Sequence, residues 1–206
     1  MLKLQQEPIY IDGPVGQLET LVIAPKDGAP RGIALIAHPN PLQGGTNTNK
    51  VVQTTARALS QHGYICYCPN LRGVGNSGGE HDYGHGEVDD AQAVVDYARA
   101  QHGDVPLVLA GFSFGSYVAA QLRQRIDARH LIMLGAAVSP KYAMPHVPAD
   151  TIVIHGEHDE VISLAQVLDW ARPQSLPVVV FPGVGHFFHG KLVLLQQYVQ
   201  RLVPSL

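Results

Sequence analysis

The chain has 206 residues, of which 46% are apolar and 15% are charged, and its formal net charge at pH 7 is −3. This balance predicts a large apolar core with a modest solvated surface, and it excludes a disordered chain. Lys and Arg form no block anywhere in the sequence. The chain therefore lacks the electrostatic footprint of nucleic-acid-binding proteins and of polybasic membrane anchors.

The apolar segments are also too short to cross a bilayer. The longest of them, such as residues 32–37 and 131–138, fall well short of the roughly 20 residues that a transmembrane helix needs. Lys3, Gln5 and Glu7 stand where a signal peptide would have its apolar region. We therefore expect a soluble, cytoplasmic protein with neither a nucleic acid nor a membrane as its partner.

In chain order, the first predicted element is an antiparallel hairpin, because residues 7–12 and 17–24 flank the turn signal Gly13-Pro14-Val15-Gly16. From residue 32 onward, short apolar segments alternate with segments of helical period. Such alternation is typical of βαβ units and a mostly parallel sheet. Strands are predicted near residues 32–37, 64–68, 105–111, 131–136, 151–155 and 177–181.

Four helices are predicted between and after these strands. They cover residues 48–62, 87–102, 116–125 and 191–202. The first two are followed by Gly63 and Gly103, which suit the left-handed position after a helix. The Pro-rich segment 139–150 is predicted to be a loop. The sequence therefore predicts one α/β domain over residues 1–206, with helices on both faces of the sheet and no cap domain.

The two cysteines, Cys66 and Cys68, stand two residues apart in an apolar, strand-like segment. Alternate residues of a strand point to the same face, so these thiols are poorly placed to bridge each other. The C-x-C spacing also lacks the form of a usual metal or redox motif. We expect both cysteines to be core thiols.

The sequence Gly111-Phe112-Ser113-Phe114-Gly115 stands between a predicted strand and a predicted helix. It matches the G-x-S-x-G pattern of a nucleophile elbow. The two glycines leave no Cβ to obstruct a tight turn, which would hold Ser113 in a strained conformation with its hydroxyl above the sheet edge. The alternative is a serine in an ordinary glycine-rich turn.

A nucleophilic serine needs a base and an acid that orients the base. Asp159 comes just after a predicted strand, where a carboxylate would project onto the catalytic edge of the sheet. Glu157 and Glu160 are alternatives for this role. His186 stands on a glycine-containing loop after the last predicted strand, free to reach a serine. For the alternative base, His189, a capping or surface role is expected.

The order serine, aspartate, histidine at positions 113, 159 and 186, with spacings of 159 − 113 = 46 and 186 − 159 = 27 residues, resembles the α/β-hydrolase superfamily. The resemblance covers nearly the whole chain. Residues 183–190 resemble the corresponding segment of small, lid-less members of the dienelactone hydrolase-like group. The family pattern places Asp159 ahead of the two glutamates as the acid.

The same family places an H-G-x-P motif after the first parallel strand, and His38-Pro39-Asn40-Pro41 resembles it. The resemblance implies that the backbone N–H groups of Asn40 and Phe114 form an oxyanion hole. Pro39 departs from the usual glycine and removes one N–H group. A rigid turn without a catalytic role is the alternative for this motif, and for His38 itself a structural hydrogen bond is expected.

Two other site patterns are disfavoured. Residues 73–78 satisfy G-x-G-x-x-G, but a dinucleotide site needs this motif to open directly into a helix, and residues 79–86 are predicted to be a polar loop. Histidines and aspartates that could bind a metal have spacings that fit no usual signature; they are His81, Asp82, His85, His155, His158 and Asp159. No metal and no cofactor are predicted.

The predicted function is that of a serine hydrolase which cleaves a small ester, thioester or amide through an acyl-enzyme on Ser113. Its expected partner is a small acyl substrate. A chain without a cap is expected to have an open site, and the expected walls are Phe112, Phe114, Tyr142, Met144, Phe187 and Phe188. The alternatives are a non-catalytic binding protein of the same fold and a metallohydrolase. The sequence specifies neither the physiological substrate nor the oligomeric state.

Overall fold

The computed structural model describes residues 7–25 and 28–206. Lys3 and Gln5, on which the expectation of no signal peptide partly depends, lie outside these residues. The strands are β1 Ile9–Gly13, β2 Gly16–Ile23, β3 Gly32–Ala37, β4 Tyr64–Pro69, β5 Leu107–Phe112, β6 His130–Leu134, β7 Ile152–Gly156 and β8 Val178–Phe181. The α-helices are α1 Lys50–Ser60, α2 Gly86–His102, α3 Phe114–Arg123, α4 Leu164–Ala171 and α5 Leu192–Leu202.

The eight strands form one sheet in the order β1-β2-β4-β3-β5-β6-β7-β8. The predicted N-terminal hairpin is confirmed, since β1 pairs with β2 in antiparallel orientation, and β2 pairs with β4 in the same way. All pairings from β4 through β8 are parallel. The predicted α/β-hydrolase fold with a mostly parallel sheet is thus confirmed. In such a sheet the carboxyl ends of the parallel strands share one edge, where ligand sites form.

Helices cover both faces of the sheet, and each face has its own apolar cluster. One cluster contains buried residues of α2, α3 and α4, and the other contains buried residues of α1 and α5. Strands β3, β4 and β5 are buried at every position, which explains their continuous apolar sequences because both of their faces pack against helices. The central strands therefore give the loops at their carboxyl ends a rigid base.

The structure differs from the sequence-based expectation at α4, which was not among the predicted helices. This helix has only 8 residues, and it begins with a capping box in which Ser163 and Gln166 bind each other's backbone N–H groups. Residues 143–150 form the irregular loop that was predicted, after an isolated β-bridge between Ser139 and Tyr142. Within residues 7–25 and 28–206, no helix is both long and apolar enough to span a membrane.

Candidate active site

The turn at Ser113 joins the end of β5 to the first residue of α3. Ser113 has φ 52° and ψ −122°, a conformation that costs a residue other than glycine roughly 1–3 kcal/mol. Its N–H donates to the carbonyl oxygen of Leu134 at 2.9 Å. Its own carbonyl accepts hydrogen bonds from the N–H and the hydroxyl of Ser116, at 2.8 Å and 2.6 Å. The strain at Ser113 is therefore held by bonds on both sides of the turn.

Glycine is required on both sides of this turn because backbone passes very close to it. A Cβ atom on Gly111 would lie 2.0 Å from the carbonyl oxygen of Gly115. A Cβ atom on Gly115 would lie 2.2 Å from the carbonyl oxygen of Ala37. Real Cβ atoms do not approach oxygen so closely, so a side chain at either position would force backbone apart. The two glycines of the G-x-S-x-G pattern thus have the steric role that the pattern indicates.

Asp159 follows β7 and is buried, with 7% of its surface exposed. Its Oδ1 atom accepts hydrogen bonds from the N–H groups of Val161 and Ile162, at 2.9 Å and 2.8 Å. Its Oδ2 atom lies 2.7 Å from Nδ1 of His186. Burial alone would raise the pKa of Asp159, but the bonds from His186 and the two N–H groups lower that pKa below its usual value. The carboxylate is therefore ionised and fixed in orientation.

His186 donates its Nδ1–H to Asp159 and is itself only 2% exposed. Its ring packs against the ring of Phe112, with centroids 5.0 Å apart. A Cβ atom on Gly135 would lie 3.1 Å from Cε1 of His186, and Gly135 follows the residue that binds the N–H of Ser113. The imidazole therefore lies beside the strand ends next to the serine turn, and its hydrogen bond to Asp159 uses Nδ1.

The three predicted residues Ser113, Asp159 and His186 thus all lie at the carboxyl edge of the sheet. Asp159 and His186 are hydrogen-bonded to each other, whereas the hydroxyl of Ser113 forms no hydrogen bond with His186. Catalytic hydrogen bonds are often longer before a substrate is bound. The arrangement supplies a strained serine and a histidine that is oriented by a buried carboxylate.

The glutamates that compete with Asp159 contact the main chain of the His186 loop. The carboxylate of Glu157 accepts the N–H of Gly183 at 2.8 Å, and that of Glu160 accepts the N–H of His186 at 3.2 Å. Among the described residues, the carboxylate that binds the imidazole ring of His186 is that of Asp159. Both glutamates therefore contact the loop of His186 through its backbone.

His155 is a second histidine beside Asp159, and its sequence pattern indicated only a candidate metal ligand. It is fully buried, and its Nε2–H donates to the carbonyl oxygen of Ile162 at 2.8 Å. The same nitrogen lies 3.2 Å from Oδ2 of Asp159. Burial lowers the pKa of His155, so this ring remains neutral beside the carboxylate. The signal in the sequence is the spacing of four residues between His155 and Asp159 across a strand end.

The loop after β3 contains Asn40, whose N–H group is the first implied donor of the oxyanion hole. His38 is fully buried, accepts the N–H of Leu71 on Nε2 at 3.1 Å, and donates Nδ1–H to the carbonyl oxygen of Pro39 at 2.7 Å. In a trans peptide the C=O of Pro39 and the N–H of Asn40 point in opposite directions. Fixing that carbonyl therefore fixes the direction of the Asn40 N–H.

The second implied donor, the N–H of Phe114, belongs to the first residue of α3. The first N–H groups of a helix have no partner within the helix. Gly115 brings this helix end against the carbonyl oxygens of Ala37 and His38, directly before the loop that contains Asn40. The two N–H groups thus come from segments in van der Waals contact, and their role in an oxyanion hole stays a prediction.

The predicted wall residues differ in how much surface they present. Phe187 is 41% exposed, whereas Phe112 has no exposed surface and supports the ring of His186 from the core. Tyr142 is half-buried and packs against Phe114, with ring centroids 5.6 Å apart. Met144 is half-buried and packs against the same apolar cluster. Phe187, Tyr142 and Met144 are thus the predicted walls with accessible surface.

The candidate metal ligands do not form one group. In residues 7–25 and 28–206, no set of three or more His, Cys, Asp and Glu side chains is arranged to hold a metal ion. His81 instead lies against the buried carboxylate of Glu87, with Nδ1 and Oε1 2.6 Å apart.

Cys66 and Cys68 are buried free thiols, and burial raises the pKa of both.

The buried His38 predicts a measurable dependence of stability on pH. Burial lowers the pKa of His38 to about 4, whereas an exposed histidine has a pKa of about 6.5. The unfolded chain therefore binds the proton first as the pH falls through this window, and stability is lost. Between pH 6.5 and pH 4.5, we expect His38 to account for a loss of about 2 kcal/mol in the free energy of unfolding.

This loss can be measured by urea unfolding of the wild type and of His38→Gln, whose amide keeps one donor and one acceptor. Over that pH interval, the free energy of unfolding should fall by about 2 kcal/mol less in the variant than in the wild type. An identical pH dependence in the two proteins would show that His38 is not the buried, neutral group described above.

Comparisons with known proteins identify the family of this chain. The family model described as serine aminopeptidase S33 matches residues 28–152, a range that includes the Ser113 turn but ends before Asp159 and His186. A serine hydrolase homologue from Coxiella burnetii is 36% identical, with a TM-score of 0.90 over 98% of this chain and 99% of that one.

A serine hydrolase without a lid from Xanthomonas campestris is 35% identical, with a TM-score of 0.90 over 98% of this chain and 95% of that one. An uncharacterized protein of Rickettsia prowazekii is 33% identical in an alignment of 198 positions that covers 89% of this chain and 82% of that protein. The family model matches more than half of the chain, and the two similar structures have the same fold. The chain therefore belongs to the serine aminopeptidase S33 family of hydrolases, within the α/β-hydrolase superfamily.

Proposed function

We propose that this protein is a serine hydrolase that cleaves small esters, thioesters or amides through an acyl-enzyme on Ser113. The observation that carries the proposal is the buried hydrogen bond of 2.7 Å between Asp159 and His186, beside the strained turn that presents Ser113. A histidine so oriented is the general base that a serine nucleophile needs. Membership in a hydrolase family supports the same reaction class.

In the proposed reaction, Nε2 of His186 takes the proton of the Ser113 hydroxyl as the oxygen attacks the acyl carbon. The carboxylate of Asp159 holds the imidazole with its proton on Nδ1 and stabilises the imidazolium that forms. The imidazolium then donates its Nε2 proton to the departing alcohol, thiol or amine. Water, deprotonated by the same histidine, then attacks the acyl carbon; the bond to Oγ of Ser113 breaks, Oγ takes the proton back from the histidine, and the acid departs.

The tetrahedral intermediate has a negative oxygen, for which we propose the N–H groups of Asn40 and Phe114 as donors. The buried His38 sets the direction of the first, and the start of α3 supplies the second. Donors that are fixed in advance require no reorganisation when charge develops, and the loss of one such donor typically lowers the rate on the order of 10²- to 10³-fold.

We propose that the acyl substrate is small, because the segment between β6 and β7 adds no helix or further strand over the site. The accessible apolar surface near the proposed catalytic residues comes from Phe187, Tyr142 and Met144. The relative from Xanthomonas campestris is likewise described as having no lid. A short acyl group would therefore lie on an open, aromatic surface next to Ser113.

Labelling with a fluorophosphonate tests the proposal directly, because this reagent phosphonylates activated serines. The wild type should gain one phosphonyl group, which peptide mass spectrometry should locate on Ser113. Ser139→Ala should label like the wild type, because this serine lies in the loop after β6, and Ser113→Ala should not label. A folded wild-type protein that does not label would contradict a serine hydrolase and favour a binding protein of the same fold.

A further inference from the structure

The two segments that carry Asp159 and His186 are bonded to each other at several residues. We call residues 156–160, which carry Asp159, the acid turn, and residues 182–186, which carry His186, the base loop. The N–H of His158 donates to the carbonyl oxygen of Val184 at 2.9 Å. A Cβ atom on Gly156 would lie 2.3 Å from the same oxygen. The backbones of the two segments are therefore in direct contact.

The two glutamates of the acid turn add side-chain bonds to opposite ends of the base loop. Glu157 accepts the N–H of Gly183 at 2.8 Å, and Glu160 accepts the N–H of His186 at 3.2 Å. A Cβ atom on Gly185 would lie 2.7 Å from Oε2 of Glu160. The carboxylate of Glu160 therefore lies over the peptide that immediately precedes the histidine, and the glycine leaves room for it.

The base loop contains two glycines, and Gly183 has φ +68°. Glycines at 183 and 185 would allow this segment many backbone conformations in the absence of outside contacts. The bond from Asp159 and the packing against Phe112 hold the imidazole ring of His186. The bond from Glu160 acts instead on the main-chain N–H of the same residue.

We propose that Glu160 is a positioning residue for the base: its carboxylate holds the main chain of His186 while Asp159 holds the ring, and Glu157 anchors the start of the loop. This inference rests on the proposed function, in which His186 is the base. The acid turn thus supplies three carboxylates with three different partners on one loop. A reaction geometry that is misplaced by about 1 Å can lose on the order of 10²-fold in rate, so a loosened base loop should lower kcat.

Glu160 also adds a negative charge beside His186. The other titratable groups around this imidazole are Asp159, the neutral His155, and His189, whose ring packs against Phe187 next to it. A nearby negative charge favours the protonated imidazole. Removing the charge of Glu160 should therefore shift the acid limb of the kcat/KM profile to lower pH, and high salt should reduce the shift because Glu160 is exposed.

Two substitutions separate the hydrogen bond from the charge, with p-nitrophenyl acetate as the substrate. Glu160→Ala removes both, and we expect kcat to fall about tenfold with KM changed less than twofold. Glu160→Gln keeps an acceptor oxygen, and we expect kcat within about threefold of the wild type and an acid limb shifted to lower pH. Asp96→Asn removes an exposed carboxylate of α2 whose recorded partner is Gln92, and it should change neither quantity.

Hydrogen exchange adds a measurement that does not depend on activity. In Glu160→Ala the amides of residues 183–186 should exchange about tenfold faster than in the wild type, and those of β5 should not change. Unchanged exchange and unchanged kcat in this variant would overturn the inference, and so would an unshifted acid limb in Glu160→Gln if the alanine variant does not fold. If Glu160→Ala shows the exchange effect but the wild type hydrolyses nothing and does not label at Ser113, the proposed function alone is overturned.

Discussion

Ser113→Ala is expected to lower kcat for p-nitrophenyl acetate on the order of 10⁶-fold, and His186→Ala should lower it by a similar factor. Each substitution removes one half of the proposed proton transfer, either the hydroxyl that attacks or the base that accepts its proton. Because neither half works alone, the double variant should be no slower than either single variant. If the two residues contributed independently, the factors by which the single substitutions lower kcat would multiply in the double variant.

The measurement is kcat at saturating substrate for the two single variants and the double variant, each shown by circular dichroism to be folded. Ser139→Ala is the control and should keep wild-type kcat. A small residual rate over water is expected in all three inactive variants, because the proposed oxyanion donors at Asn40 and Phe114 remain in place. Wild-type turnover by Ser113→Ala, or effects that multiply in the double variant, would contradict the proposed mechanism.

The elements that were predicted correctly have local signals. Strands β3 and β5 are continuous apolar segments between turn residues, and α2 has an apolar stripe with a glycine after its last turn. The serine turn is signalled by glycines whose missing side chains the structure requires. In each case, the physical cause acts within about ten residues of the chain and is therefore visible in the sequence.

The helix α4 was missed because its local signal is short. Only two of its eight residues are buried, Val167 and Ala171, so its apolar period covers little more than one turn. The capping box at Ser163 and Gln166 was the available signal, but such a box also occurs in isolated turns. Its two buried residues pack into the apolar cluster of its face of the sheet, and this tertiary contribution to helix stability is not visible in the local pattern.

The choice among the three carboxylates of the acid turn depends on contacts that lie far along the chain. Glu157, Asp159 and Glu160 follow the same strand, and their partners at residues 183 and 186 are 26 or 27 residues away. Their sequence positions were equally suitable, and only the family pattern favoured Asp159. The role of His155 could not be predicted for a related reason. It depends on the burial of the ring and on its hydrogen bond to the carbonyl oxygen of Ile162, which only the folded chain creates.

Gly115→Ala is expected to lower the free energy of unfolding by about 4 kcal/mol, more than the 1–3 kcal/mol of ordinary overpacking. The new Cβ atom would lie 2.2 Å from the carbonyl oxygen of Ala37 and 2.7 Å from that of His38. Both obstacles are backbone at the end of a buried strand, so no side chain can rotate to make room. Either α3 or the end of β3 must move.

Gly44→Ala is the matched control for this substitution. Gly44 has φ +78° and no atom within 4 Å of its Cβ position, so alanine there should cost only about 1 kcal/mol of backbone strain. Urea unfolding of both variants gives the difference that arises from the clash. A loss in Gly115→Ala no larger than in Gly44→Ala would contradict the close contact between α3 and β3.

The same substitution should also affect activity in the fraction that folds. A shift of α3 away from β3 would separate the N–H of Phe114 from the loop of Asn40 and tilt the turn of Ser113. We therefore expect kcat for p-nitrophenyl acetate to fall by on the order of 10²-fold, the loss typical of one oxyanion donor, while Gly44→Ala should stay within about threefold of the wild type. The glycine that lets the helix touch the strand would then be required both for folding and for bringing the two proposed donors to one oxygen.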